Sequence, residues 1–407
     1  MPADVSADAG ASSGRTRGSV GEVFGAALRL GLTSFGGPIA HIGYFRREYV
    51  ERRGWLDEAS FADLVALSQS LPGPASSQLG IAIGTRRAGM RGGLAAWLGF
   101  TVPSAVILTV FGLIAAGTDL SGAGWVHGLR TAAVAVVAQA VWTMSRSLTP
   151  DWPRRFVAGL AAAVALLWTS PFSQVAIIAG GAAIGLLLLA SPPPLETGPE
   201  ASPVPRRVGV AALVAFAVLL VALPLLRPVG GQPVALFDAF YRSGALVFGG
   251  GHVVLPLLHT SVVDPGWLSD DRFLAGYGAA QAVPGPLFTF AAFLGTVSTP
   301  APNGIPGAMI ALVAIFLPSF LLIFGALPFW DELRHAIRLR RALTGINAAV
   351  VGILLAALYT PVWTSGIEMP LDAVVAGAGL ALLLTGRVPP IIVVGLSALV
   401  GAIAFGV

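Results

Sequence analysis

Two arginines set inside apolar runs are the residues of this chain best suited to chemistry. Arg29 lies in Ala26-Ala27-Leu28-Arg29-Leu30 and Arg242 in Ala239-Phe240-Tyr241-Arg242-Ser243. An arginine at the centre of a bilayer costs about 2.5–3.5 kcal/mol on insertion scales, so placing one twice demands compensation. The planar guanidinium fork suits a tetrahedral oxyanion, which it can hold through two parallel hydrogen bonds. Each arginine stands six residues before a glycine motif: Phe35-Gly36-Gly37, which follows Ser34, and Phe248-Gly249-Gly250, which runs on into Gly251.

A second pair of motifs offers backbone donors. Gln69-Ser70-Leu71-Pro72-Gly73-Pro74 and Gln281-Ala282-Val283-Pro284-Gly285-Pro286 cannot continue a helix, because proline lacks the N–H and glycine relaxes the backbone. A helix restarting after such a break presents free N–H groups and a partial positive charge, a ready anion site. Beyond the first break stand Ser76, Ser77 and Gln78; beyond the second, among apolar residues, only Thr289 carries a donor, so the two half-sites are not equivalent. His41 and His252, close to the glycine motifs, can donate to an anion or carry a proton. Carboxylates near mid-span are almost absent; Asp63 and Asp238, near segment ends, are the only other proton sites. The candidate binding set is therefore Arg29, Ser34, Gly36, Gly37, His41, Gln69, Pro72, Gly73, Pro74, Ser76, Ser77 and Gln78 in one half, with Arg242, Gly249, Gly250, Gly251, His252, Gln281, Pro284, Gly285, Pro286 and Thr289 in the other. No Ser/His/Asp set, phosphate loop or metal-ligand spacing is present, and the absence of cysteine removes thiolate sites and disulfides. An enzyme is not expected, nor a cofactor or metal.

The elements that must position these residues belong to a membrane protein. Hydrophobic residues make up 55% of the chain and charged ones 11%, where soluble domains carry about 25%, and mean hydropathy is +0.81. Apolar stretches at 92–118, 126–148, 172–190, 208–227, 306–328, 342–362 and 389–406 approach or exceed the roughly 20 residues a span needs. The motifs recur in the same order with a shift of 213 residues at Gly36 and Gly249 and 212 at Pro72 and Pro284. Gly54-Trp55-Leu56 pairs with Gly266-Trp267-Leu268, and Pro103-Ser104 with Pro318-Ser319. Two large repeats broken at matched places are the mark of a transporter whose substrate binds where the repeats meet. One isolated break would read as a packing kink; its duplication argues otherwise.

All basic side chains are arginine. Arg46, Arg47, Arg52, Arg53, Arg86, Arg87 and Arg91 flank both sides of segment 61–85, whereas the matching loops 263–272 and 297–305 contain only Arg272 against Asp264, Asp270 and Asp271. Conversely, loop 119–125 has no arginine while its counterpart 331–341 has Arg334, Arg338, Arg340 and Arg341, so by the positive-inside rule the repeats face opposite ways. Inversion needs an odd number of crossings between equivalent points, which five spans supply only if 22–44 is a hairpin like 61–85. The expected fold is thus an all-α polytopic membrane protein whose homologous halves form an inverted repeat with Gly/Pro-broken re-entrant helices. Its expected divisions are a disordered tail (1–20), a first repeat with a helix pair (21–190), a Pro-rich linker (191–207), and an extra span, second repeat and terminal helix pair (208–407).

The runs Leu32-Thr33-Ser34-Phe35-Gly36-Gly37-Pro38-Ile39-Ala40-His41-Ile42-Gly43, Trp55-Leu56-Asp57-Glu58, Ala66 through Gln78, and Gly84-Thr85-Arg86-Arg87-Ala88-Gly89-Met90-Arg91-Gly92-Gly93 resemble the signatures of the chromate ion transporter family. The resemblance covers about 22–148 and, more loosely, 234–362, as in the long, two-domain members. It implies export of chromate, a divalent tetrahedral oxyanion and sulfate mimic, from the cytoplasm through a multi-pass protein of the inner (plasma) membrane, conferring chromate resistance. Membrane potential, proton exchange or both would drive it. The alternatives are a sulfate or other oxyanion transporter, a passive anion channel, or a membrane chromate reductase, the last opposed by the lack of cysteine and of haem or flavin motifs. Expected partners are the oxyanion and the lipid bilayer, with a homodimer as an option and no nucleic acid.

Overall fold

The structure, a computed structural model, describes residues 18–117, 123–168, 170, 173–190, 202–248 and 251–406. The expected tail up to residue 17, most of the expected linker (191–201), and Gly249 and Gly250 of the candidate set lie outside the described residues. Among the described residues the regular structure is entirely helical.

The first half opens with α1 (Val20–Thr33), whose N-cap Ser19 accepts from the Glu22 N–H. The chain reverses at Gly36 into α2 (Gly37–Phe45) and widens to π geometry over Arg46–Arg52. Asp57 caps α3 (Glu58–Ser70), the proline–glycine break follows, and α4 (Ala75–Gly117) bends at Ala88-Gly89. Then come α5 (Gly124–Leu148), α6 (Trp152–Leu167) and α7 (Ser173–Leu188). The second half repeats the series. The arm of α8 (Arg206–Leu246) beyond its bend at Gly231 matches α1, and α9 (Val254–Val262), α10 (Asp270–Gln281), α11 (Phe290–Val297) and α12 (Gly304–Ala326) follow. After α13 (Trp330–His335) come α14 (Ile337–Ala357), the single turn α15 (Thr364–Gly366), α16 (Pro370–Leu384) and α17 (Pro390–Phe405).

Both broken segments of the first half return to the end from which they set out. Trp55 Nε1 donates to Glu22 at 3.0 Å across α1 and α2, and Arg86 lies 3.7 Å from Asp63 across the hairpin of α3 with the first arm of α4. In the second half Thr299 N–H donates to the Trp267 carbonyl at 3.0 Å, closing the hairpin of α10 and α11. The halves are inverted. The second arm of α4 and its counterpart α12 run antiparallel: Trp97 meets Phe316 and Phe320 edge-on at 5.6 and 5.5 Å, while Leu113 lies beside Gly304 at the other end.

Among the described residues four helical stretches are long and apolar enough to cross a bilayer: Ala75–Gly117, Arg206–Leu246, Gly304–His335 and Ile337–Gly366. Stretch 126–148 is not among them, because α5 carries Arg130 and Arg146. The apolar stretches 172–190 and 389–406 yield helices of 16 residues, about 24 Å long at 1.5 Å per residue. The last helix pair of each half clamps the other half. In α7, Gly181 and Gly185 lie against Gly345 of α14, and in α17 Gly401 lies against Gly124 and Gly128 of α5. Small residues let backbones approach closely where no hydrophobic drive separates helix from lipid. The halves are therefore interlocked at their ends, with the two breaks between them.

Candidate functional site

Each break is bound to the glycine motif of the opposite half. The Gly73 N–H donates to the Val247 carbonyl at 2.6 Å, and the Gly285 N–H donates to the Ser34 carbonyl at 2.9 Å. Ser34 and Val247 are equivalent under the 213-residue shift, so the two bonds are related by the pseudo-twofold. Gly73 has φ of +127° and Gly285 +101°, conformations only glycine adopts without strain. The serine after the helix proline also comes from the opposite half. Ser319 Oγ stands 3.0 Å from where a Cβ on Gly73 would be, and Ser104 Oγ 2.9 Å from the same point on Gly285. Two half-sites result, each built from both repeats.

Their polar groups differ. At the first break Gln78 Nε2 donates to the Pro72 carbonyl at 2.6 Å, and Ser77 Oγ is buried without a hydrogen-bond partner. At the second, Thr289 Oγ donates to the Pro286 carbonyl at 2.7 Å. Ser34, Thr101 and Ser319 are fully buried with unpartnered hydroxyls, and both ring nitrogens of His41 are likewise unpartnered, the ring standing edge-on to Phe100 at 5.3 Å. His252 is fixed by a hydrogen bond between Nδ1 and the Tyr277 hydroxyl at 2.9 Å, with Nε2 turned toward Gly37. Gln281 Nε2 is buried and unpartnered, whereas Gln69 is exposed. Buried polar groups ordinarily have partners. A concentration of hydroxyl, imidazole and amide groups without them is suited to a ligand rich in acceptor oxygens.

The two arginines that the sequence singles out are engaged by carboxylates. Arg29 lies 3.8 Å from Glu48, with more than half of its side chain exposed. Arg242 Nε lies 3.0 Å from Asp238, which also pairs with Arg227. Asp238 therefore serves as counter-ion to two guanidinium groups. Asp63 accepts from Trp330 Nε1 at 2.9 Å and from Arg334 at 3.1 Å. Neither carboxylate stands apart as a simple proton carrier. Their compensation answers the cost of charge inside the protein.

Charge is sorted between the two ends of the helices. At the arginine-rich end, Glu22 lies among Arg53 and Arg87, Glu48 among Arg29, Arg52 and Arg53, and Asp63 beside Arg86 and Arg334. The hydrogen bond from Arg46 holds the Glu58 carboxyl below its ordinary range. At the opposite end Arg130 pairs with Asp271 and Glu368, and His127 Nε2 lies 2.8 Å from Asp372. There a hydrogen bond with His259 holds Asp270 below the ordinary carboxylate range. Among the described residues no group of three or more His, Cys, Asp or Glu side chains could hold a metal ion.

Sequence reasoning overlooked Ser104 and Ser319 as neighbours of the two break glycines. Their signal was the matched Pro103-Ser104 and Pro318-Ser319 pairs, which the sequence offers only as members of the repeat. It also had no means of identifying the Val247 carbonyl.

Comparison with known proteins gives a consistent assignment. The family model described as Chromate transporter matches residues 21–186 and 234–402, so each match runs on into the helix pair. A chromate transport protein of Pseudomonas aeruginosa is 32% identical over 348 residues, 82% of this chain and 79% of its own length. A probable chromate transport protein of Synechococcus elongatus is 30% identical over 337 residues, 81% of each chain. A chromate transport protein of Cupriavidus metallidurans is 28% identical over 390 residues, 93% of this chain and 91% of its own. No solved structure matches.

Proposed function

The chain belongs to the chromate transporter family, and from that premise we propose that it exports chromate from the cytoplasm across the inner membrane, through the paired breaks between its inverted halves. The observation that carries this reading is the crosswise site, in which the Gly73 and Gly285 N–H groups bond to the opposite half beside buried, unpartnered hydroxyls. Non-helical backbone at membrane depth is tolerated where protein buries it or it lines a polar cavity. An oxyanion with four acceptor oxygens satisfies such donors.

The arginine-rich end is the cytoplasmic one on this reading, since positive charge is retained inside. Its guanidinium groups draw a dianion toward the mouth. Arg29 and Arg242 then act by exchanging Glu48 and Asp238 for the passing anion, or by holding those carboxylates neutralised while it passes. Potential alone is a sufficient drive. One charge moved through 100 mV is worth about 2.3 kcal/mol, so a dianion leaving a negative interior gains about 4.6 kcal/mol, roughly three decades of gradient. Proton exchange through His41 or His252 is an addition that the energetics do not require. Sulfate is the second reading for the cargo, because hydroxyl and amide donors fit any fully ionised tetrahedral oxyanion.

Chromate accumulation in cells carrying wild type, Arg29→Ala or Arg242→Ala, at equal membrane levels, tests the proposal. Lower accumulation with wild type, lost in an arginine variant, supports export. Wild type indistinguishable from cells without the protein eliminates chromate export. In vesicles, efflux undiminished when the potential is collapsed with the pH gradient held rules out potential as the drive.

A further inference from the structure

We propose that Ser319, from the second half, completes the oxyanion site at the first half's break, and that this half-site alone carries the substrate. The inference rests on the transport reading above and assigns the binding step to one of its two half-sites.

Ser319 is fully buried in α12, and its hydroxyl has no hydrogen-bond partner. It faces the position of a Cβ on Gly73 at 3.0 Å, a point that also lies 2.5 Å from Gln78 Nε2. The hydroxyl of one half and the amide of the other thus converge on the glycine of the break. Directly beyond begins α4, whose first N–H groups have no acceptor within the helix. Ser77, one turn in, is buried and also unpartnered. A serine inside a helix ordinarily returns its hydroxyl to a carbonyl of the preceding turn. Ser68, Ser70 and Ser243 all do so here. Ser319 does not.

The second half-site lacks this provision. Ser104 donates to the Thr101 carbonyl at 3.1 Å, and Thr289 to the Pro286 carbonyl at 2.7 Å. The counterparts there of Ser319 and Ser77 are thus both already bonded to backbone. Ser319 and Ser104 are counterparts in the repeat, yet only one is available to a ligand. Because Ser319 and Gln78 belong to halves that run in opposite directions, movement of one half against the other assembles or dismantles the site.

The test is equilibrium binding of radiolabelled chromate and, separately, sulfate to the purified full-length protein, comparing wild type with Ser319→Ala, Ser319→Thr and Ser104→Ala. A hydrogen bond to a charged group changes affinity on the order of 10- to 100-fold. Ser319→Ala should weaken binding by that factor, Ser319→Thr should restore it to within about threefold, and Ser104→Ala should change it by less than about twofold. Unaltered binding in Ser319→Ala, with wild type binding normally, overturns the inference and leaves the transport reading intact. Equal losses in the two alanine variants overturn the assignment to one half-site. Loss in Ser319→Ala that threonine does not restore assigns the residue to packing and equally overturns the proposal. Wild type that binds neither anion overturns the transport reading as well.

Discussion

Replacing Asp63 with alanine should destabilise the protein by about 3 kcal/mol, near the low end of the roughly 3–5 kcal/mol lost when one partner of a buried pair is removed. The carboxylate joins the first half to the second at the arginine-rich end. It accepts from Arg334 at 3.1 Å and Trp330 Nε1 at 2.9 Å, and Arg86 lies 3.7 Å away. The Arg334 side chain is 5% exposed and that of Asp63 7%. At an effective dielectric constant of about 20, two charges so placed attract by roughly 5 kcal/mol before desolvation is counted. Asp331, more than half exposed, also pairs with Arg334 and limits the damage when Asp63 is lost. Asp63→Asn keeps an acceptor for Trp330 and should cost less, about 1–2 kcal/mol. The assay is a double-mutant cycle in detergent, with denaturation midpoints of wild type, Asp63→Ala, Arg334→Ala and the double variant. The double variant should fall short of the sum of the single losses by about 1–3 kcal/mol. Additivity to within about 0.5 kcal/mol would refute an inter-half tie, whatever the single losses were.

Other predictions probe the interlock, the breaks and the outer cluster. Gly181→Ala, whose Cβ would meet Ala349 Cβ at 2.7 Å, should cost about 1–3 kcal/mol from overpacking, whereas Gly180→Ala, with nothing within 4 Å, should leave the melting midpoint unchanged. Gly73→Ala and Gly285→Ala each place a side chain at positive φ, with strain of about 1–3 kcal/mol, and should lower chromate transport with protein still present in the membrane. Asp270 titrates below its unfolded value of about 3.9, so its contribution is complete above that pH and is lost as pH falls through the lower, folded value. His259→Gln should remove this acid-labile increment, read as a shallower loss of stability below pH about 4.

The extent to which this architecture was legible in the sequence follows from how each feature is encoded. The breaks and hairpins were legible because proline and glycine act on their own backbone, and the repeat wrote each of them twice. The inversion was legible from arginine placement, since loop charge answers to the membrane and not to a particular contact. The crosswise bonds were not legible. Gly73 is joined to Val247 through a carbonyl that any residue carries, so no side-chain chemistry at position 247 could announce it. Compensation of the two arginines was half visible: Asp238 precedes Arg242 by four residues on one helix face, but Glu48 reaches Arg29 only because the chain doubles back between them. That the half-sites differ was legible in composition, but which hydroxyl stays unbonded needed coordinates. Equivalent positions 77 and 289 both carry hydroxyls, and composition alone treats them alike. In the first half the Gln78 amide bonds to the Pro72 carbonyl and Ser77 is left unbonded; in the second, Phe290 stands where Gln78 would, and Thr289 bonds to the Pro286 carbonyl. The Pro74 carbonyl, the counterpart of Pro286, takes the Gln78 N–H and no hydroxyl, whereas Pro286 takes both the N–H and the hydroxyl of Thr289. The local course of the backbone after each break therefore decides which of two duplicated hydroxyls remains available to an anion.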